Sequence, residues 1–282
     1  MKVKLISLVG LVTLTLFLIP SVFAVDMALY TGHTNPGWYA EAVMLQDAEK
    51  IMSELKGVVK EIVSFNDDKL DDLKAWAEAN LKDGELDIIW LPGVIPSVLY
   101  PNPNKQPDGS LAEEWLDNGN MFINCGDYFA YCTYETGARG ADNGEGGIQN
   151  IIDCPGMTMW GDNTPMKVTG TGKKYIPSLE DFLSDRPFHV NELNVNKDWE
   201  VVAIFASQGG SDDPAKETRA DPIVIHNKVT DGYLCILVQN AEPMRSHADN
   251  TIDFVKNWAN EVIGFSVEPQ DKLATTWGEI KR

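Results

Sequence analysis

Short apolar runs alternate with helical patterns along the first half of the chain. Helical spacing of apolar residues links the first run to the second and the second to the third. Strands that are apolar throughout, rather than at alternate positions, are typical of parallel sheets covered on both faces. We therefore predict an α/β fold, a three-layer sandwich with a mainly parallel central sheet. The predicted strands of this half are 25–31, 58–65, 86–91 and 119–124.

The second half of the chain is less regular. Residues 135–172 are rich in glycine and contain no predicted element, which is typical of a binding loop or lid. With no long linker and no internal repeat, residues 25–265 are predicted to form one domain and 266–282 a C-terminal tail. The elements predicted here are strands 199–206, 222–226 and 232–239, a helix near 178–183 and a last helix ending at 263.

Residues 1–24 have the pattern of a secretory signal peptide. Lys2 and Lys4 precede an apolar run, and Val22 and Ala24 fit a small-residue cleavage site. The run is short for a bilayer span, which takes about 20 residues. We expect cleavage after Ala24, a secreted or periplasmic protein, and a mature chain without a membrane span.

The formal net charge of the chain is −19. Nucleic acid is disfavoured as a partner, because binding phosphates requires clustered lysine and arginine. Acidic residues between 142 and 153 leave calcium open, but they lack the spacing of an EF-hand loop. We predict no metal site and no cofactor, and the sequence leaves the oligomeric state open.

Four cysteines occur, and an exported protein can form disulfides. Cys132 and Cys154 both lie in the loop-rich middle, so they are the pair expected if any forms. Cys235 lies inside an apolar strand and is predicted to be a small buried hydrophobe. The spacing of cysteine and histidine does not fit structural zinc.

Ligands of a parallel sheet bind beyond the carboxyl ends of its strands. His33 and Asp127 each follow a predicted strand, so both are expected in one crevice as polar anchors. Aromatic rings with polar neighbours suit the face of a sugar, and the predicted ring residues are Tyr100, Tyr128 and Trp160. The expected partner is therefore a small molecule of polar or carbohydrate type.

The order of strands and helices from Val25 to about Ile263 resembles the class I glutamine amidotransferase-like superfamily, including its ThuA-like branch with a flavodoxin-like sheet. In that superfamily a Gly-x-Cys-x-Gly elbow holds the nucleophile, and a His-Pro-Glu segment supplies the base and its orienting carboxylate. Here the elbow reads Ile-Asn-Cys-Gly-Asp at 123–127. The resemblance implies Cys125 as nucleophile.

The second part of the superfamily's machinery is not intact in this chain. The corresponding strand ends in Val-Gln-Asn-Ala-Glu-Pro at 238–243, where Glu242 is present but no histidine stands before it. His247 follows a few residues later and could swing back toward Cys125. His226, or His189 with a glutamate three residues later, are other candidate bases.

Three functions follow from these observations. The preferred one is an exported amidotransferase-like domain without glutaminase activity, which binds or processes a small polar or carbohydrate-type ligand at the strand ends. The second is a Cys-dependent hydrolase or amidase, with Cys125 as nucleophile and His247 or His226 as base. The third is a non-catalytic interaction domain for other envelope proteins.

Overall fold

The centre of the fold is a seven-stranded sheet with helices on both faces. The computed structural model describes residues 25–193 and 196–264. The fold class is α/β with a mainly parallel sheet, so this prediction is confirmed. In sheet order the strands are β2 (Glu61–Phe65), β1 (Asp26–Tyr30), β3 (Ile88–Leu91), β4 (Met121–Cys125), β12 (Tyr233–Leu237), β11 (Ile223–Asn227) and β8 (Trp199–Ile204).

Strands β2, β1, β3, β4 and β12 pair in parallel, and β11 runs opposite to its two neighbours, β12 and β8. The carboxyl ends of the parallel strands therefore meet at one edge of the sheet, which we call the carboxyl edge. Because β11 is reversed, its last residues lie at the opposite edge.

Two apolar cores lie on the two faces of the sheet. Alternate residues of a strand point to opposite faces, so Met121, Ile123 and Cys125 pack in one core and Phe122 in the other. The first core is covered by α1 (Glu41–Leu55) and by α6 (Ala248–Asp253), which continues as a π-helix over Phe254–Ile263. The second is covered by α2 (Leu70–Asn80), α3 (Leu111–Asp117) and α4 (Gly146–Ile151).

A second, five-stranded antiparallel sheet was not predicted. The helix expected near 178–183 is wrong, because the chain forms a turn there and residues 182–184 pair antiparallel with residues 164–166. A short helix, α5 (Gly170–Tyr175), comes earlier, and the Thr169 hydroxyl accepts from the Gly172 N–H to cap it. In sheet order the strands are β6 (Phe182–Ser184), β5 (Thr164–Val168), β9 (Ala206–Ser207), β10 (Arg219–Ala220) and β7 (Phe188–His189).

Asp221 joins the small sheet to the carboxyl edge. Its buried carboxylate accepts hydrogen bonds from the Ser184 hydroxyl at 2.6 Å and from the backbone N–H groups of Val238 and Gln239, both at 2.7 Å. Burial raises the pKa of Asp221 to about 7, although these hydrogen bonds act to lower it. The end of β6 is thereby fixed beside the end of β12.

The four cysteines are all buried free thiols, so the disulfide that was expected between Cys132 and Cys154 if any formed is not present. Cys132 and Cys154 both lie in the core on the face covered by α2, α3 and α4, and the Cys154 thiol donates weakly to the Glu192 carbonyl at 3.8 Å. Across residues 25–193 and 196–264, no helix has the length and apolarity to cross a membrane. The predicted signal peptide and the tail 266–282 lie outside the described residues.

Candidate ligand site at the carboxyl edge

His33 and Asp67 form a close pair where β1 and β2 end. His33 Nδ1 lies 2.5 Å from Asp67 Oδ2, while the Tyr30 hydroxyl donates to Asp67 Oδ1 and the Thr136 N–H to Oδ2. The hydrogen bond to Asp67 raises the pKa of His33, whose side chain is 41% exposed. Burial raises the pKa of Asp67, but the hydrogen bonds from His33 and Tyr30 outweigh it and the net pKa is lowered. The pair is an exposed imidazole held by a carboxylate.

Asp127 lies two residues beyond the end of β4 and is 6% exposed. Its carboxylate accepts from the Asn35 side-chain amide and from the Tyr128 N–H, each at 2.7 Å. The Tyr134 hydroxyl donates to Asn35 Oδ1 at 3.0 Å. Burial raises the pKa of Asp127 to about 6, and these hydrogen bonds oppose it.

We call the polar residues at this edge the carboxyl-edge cluster: His33, Asn35, Asp67, Asp127 and Tyr134. The turn that carries Tyr134 also brings the Thr136 N–H to Asp67, so it connects the ends of β1, β2 and β4. The structure therefore places the two predicted polar anchors at the same edge of the sheet.

Aromatic rings and two arginines border this cluster. The Arg186 guanidinium carbon lies 5.0 Å from the Trp38 ring centre and 5.7 Å from that of Trp160. Arg139 lies over the Tyr131 ring at 5.6 Å. The positive charges of both arginines act to lower the pKa of Asp127, against the effect of its burial. Cation–π contacts of this kind fix a guanidinium at a surface.

Of the three predicted ring residues, Trp160 is 42% exposed, whereas Tyr100 and Tyr128 are completely buried. The Tyr128 hydroxyl accepts from the Met159 N–H at 3.0 Å, and the Tyr100 hydroxyl donates to Asn104 at 2.9 Å. Neither tyrosine presents a ring face to solvent, which corrects the predicted role of both. Tyr128 instead packs edge-on against Trp160 at 6.3 Å and supports it.

The predicted catalytic residues Cys125, His247 and Glu242 do not form a triad. Cys125 is completely buried, its thiol donates weakly to the Leu91 carbonyl at 3.6 Å, and burial raises its pKa well above the ordinary value. Burial likewise lowers the pKa of His247 to about 3. Neither ring nitrogen of His247 has a hydrogen-bond partner among the described residues.

Glu242 lies apart from both residues, in a surface cleft of about 560 Å³, with its carboxylate 3.8 Å from Arg245. A cysteine reacts as a thiolate, and the surroundings of Cys125 disfavour one. Cys125 as nucleophile stays a prediction that this geometry does not support.

The other candidate bases have different roles. His226 lies near the end of the reversed strand β11, and therefore at the sheet edge opposite to Cys125, stacked on Tyr233 at 4.5 Å. His189 is buried, with Nδ1 2.9 Å from Glu192 and Nε2 3.0 Å from Asp162. Its Nδ1 also lies 2.9 Å from the Thr158 hydroxyl, so His189 fastens the segment that carries Trp160.

Sequence reasoning missed Trp38, Asn35 and Arg186. Trp38 and Asn35 both lie between β1 and α1: Asn35 is in the loop for which the sequence predicts only His33 as a site residue, and Trp38 is predicted as the first residue of a helix that in the structure begins at Glu41. Arg186 follows the unpredicted strand β6, and nothing in the sequence linked it to Asp127.

The described residues contain no group of three or more His, Cys, Asp or Glu side chains placed to hold a metal ion. Asp142, which belonged to the acidic segment considered for calcium, makes a two-point ion pair with Arg139 at 2.8 and 3.0 Å.

No protein-family model matches the chain, and no curated protein matches its sequence. Among solved structures, the glutaminase domain of Trypanosoma brucei CTPS with bound acivicin is similar with a TM-score of 0.41 and 10% sequence identity. The match covers 84% of this chain and 93% of that one. A likeness of this size says nothing about activity, and the fold class follows from the chain's own sheet order.

Proposed function

We propose that residues 25–264 form an amidotransferase-like domain without glutaminase activity, which binds a small polar ligand of carbohydrate type at the carboxyl edge. The observation that carries this proposal is the Asp127–Asn35 pair, next to which Tyr128, the residue after Asp127, packs edge-on against the exposed ring of Trp160. Export after cleavage at Ala24 belongs to the same proposal, and N-terminal sequencing of the secreted protein tests it.

The chemistry of the cluster suits a ligand rich in hydroxyl groups. A carboxylate accepts hydrogen bonds, an amide can both donate and accept them, and Tyr134 adds a hydroxyl. The exposed Trp160 ring offers an apolar surface for the C–H face of a sugar. Sites for small ligands commonly combine such a ring with a few convergent polar groups.

His33 gives the same site a group that can move protons. Asp67 holds Nδ1, and Nε2 lies 3.9 Å from Glu41 at the surface. An imidazole oriented by a carboxylate can act as general base or acid within hydrogen-bond reach of a substrate. This feature supports processing of the bound ligand as an extension of binding.

The absence of glutaminase activity is proposed because Cys125 is packed inside the core. Acyl transfer by cysteine needs a thiolate, an adjacent base and access for the substrate amide. Its thiol has a raised pKa and a backbone carbonyl as partner. Glutamine hydrolysis, followed as ammonia release, is therefore expected to be undetectable. Turnover that Cys125→Ser abolishes would instead favour the Cys-dependent hydrolase.

Binding is tested by titrating the full chain with neutral and charged monosaccharides while recording tryptophan fluorescence. Asn35→Ala should weaken binding about tenfold, because it removes the partner of both Asp127 and Tyr134. Asn118→Ala is the matched control, since Asn118 lies at the end of α3 and its side-chain amide donates to the Glu114 carbonyl of that helix. No response of the unaltered protein to any sugar would contradict the proposal.

A further inference from the structure

Arg186 is held rigidly at the border of the carboxyl-edge cluster. Its backbone N–H donates to the Gln239 carbonyl at 3.3 Å, which anchors it at the end of β12. Its guanidinium lies between the rings of Trp38 and Trp160, and its buried Nε has no hydrogen-bond partner among the described residues. At Gly161 a Cβ atom would lie 3.2 Å from Nη1, so a small residue there leaves room for the guanidinium.

The charge around Arg186 is unusual for this chain, which carries 42 acidic and 23 basic residues. Arg139 pairs with Asp142, Arg219 with Asp162, and Arg245 lies 3.8 Å from Glu242. Within the described part of the chain no carboxylate lies within 4 Å of the Arg186 guanidinium; the ion pairs found there involve other residues.

Asp185 and Asp127 are both held by other partners. Asp185, the preceding residue, accepts from the Ala241 N–H at 2.7 Å. Asp127 accepts from Asn35 and Tyr128, and Arg186 affects its pKa without forming an ion pair with it. The fork of an arginine matches planar or tetrahedral oxyanions in two-point contact. The guanidinium is thus positioned by rings and left available to an anion from outside.

We propose that the ligand of this site is an anionic sugar, whose carboxylate or phosphate group binds Arg186 while its ring lies against Trp160 and its hydroxyls reach Asp127 and Asn35. This inference rests on the proposed function and adds the charge of the ligand to it. The negative field of the protein disfavours such a ligand at long range, so the local arginine has to supply the attraction.

The test compares glucose, glucuronate and glucose 6-phosphate by isothermal titration with the full chain. At least one anionic sugar should bind about tenfold tighter than glucose, as charge-assisted hydrogen bonds to arginine imply. The two anionic sugars distinguish a carboxylate from a phosphate. Arg186→Gln should reduce the affinity for that sugar to the level of glucose, and Arg186→Lys should retain part of the preference. Arg245→Gln, a matched surface change, should leave the preference intact.

The possible failures can be told apart. Equal binding of glucose and both anionic sugars by the unaltered protein would overturn the anionic ligand and leave the proposed function standing. Binding of no sugar at all would overturn both. If acetate or inorganic phosphate binds as tightly as the anionic sugars, the sugar ring contributes nothing to the affinity. That result would overturn the proposal that the ligand is a sugar. The three sugars are compared on the unaltered protein, and this comparison decides the inference. The test therefore remains decisive even if Arg186→Gln fails to fold.

Discussion

Cys125 and Asp127 are two residues apart at the end of the same strand and both are buried, yet their partners differ. Cys125 ends β4 with its side chain in the core under α1 and α6, beside Tyr39 and near His247. Asp127 follows the turn and belongs to the carboxyl-edge cluster. The region around Cys125 and His247 is closed, and the Asp47 carboxylate accepts there from the His247 N–H at 2.6 Å. Asp127 is buried as well, but among polar partners, and Tyr128 after it packs against the exposed ring of Trp160.

The comparison shows that a strand end is not by itself an active-site position. The alternation of side chains sends Cys125 to the same face as Met121 and Ile123. β4 ends at Cys125, and Gly126 follows with a φ of 88°, so Asp127 lies beyond the sheet. The chemistry of this edge therefore comes from loop residues.

The largest expected effect concerns His247, whose pKa in the fold is about 3 against an ordinary 6.5. Below pH 6.5 the unfolded chain takes up a proton that the folded chain cannot. This group should therefore lower the free energy of unfolding by up to about 1.4 kcal/mol per pH unit as the pH falls toward 3. His247→Leu should lack this loss in urea unfolding between pH 7 and 4. Parallel pH curves for variant and unaltered protein would contradict the burial of a neutral imidazole.

Asp127 should show the opposite sign, because its pKa is raised from 3.8 to about 6. The folded chain keeps a proton that the unfolded chain releases, so this group adds stability as the pH falls from about 6 to about 4. The slope is at most about 1.4 kcal/mol per pH unit. Asp127→Asn should remove this rise in the same unfolding series and weaken ligand binding. An unchanged slope would place Asp127 in water rather than in the cluster.

Cys125→Ser should reduce the free energy of unfolding by about 1–3 kcal/mol, because it buries a hydroxyl with poor partners. Ligand affinity should stay within about twofold, since Cys125 does not reach the cluster. Cys235→Ser is the matched control, as Cys235 is equally buried in the same core on β12. A loss of binding or turnover confined to Cys125→Ser would reinstate Cys125 as a functional residue.

The smallest effect is expected for Glu242→Gln. Its carboxylate is exposed and lies 3.8 Å from Arg245, so the change in unfolding free energy should be below about 0.5 kcal/mol. The titration of His247, followed by NMR, should not move. A shift of that titration would mean that Glu242 orients His247 after all.

The central sheet could be predicted because its inner strands β1, β3 and β4 are short apolar runs that are buried on both faces. The small sheet could not be predicted, since β7, β9 and β10 have two residues each. Strands this short form only when the tertiary structure places partner strands beside them. The position of His226 could not be predicted from a local pattern either. Its strand was recognised, but the reversal of β11 decided at which edge it lies.

The sequence by itself determined the α/β class, the strand ends and the position of His33 and Asp127 after strands, because local apolar patterning and chain order specify them. Only the tertiary structure decided that Cys125 and Tyr128 are buried, that Asn35 pairs with Asp127, and that Arg186 lies between Trp38 and Trp160. These last contacts join residues up to about 150 positions apart, such as Trp38 and Arg186. Packing and desolvation act in three dimensions, so no local pattern records them.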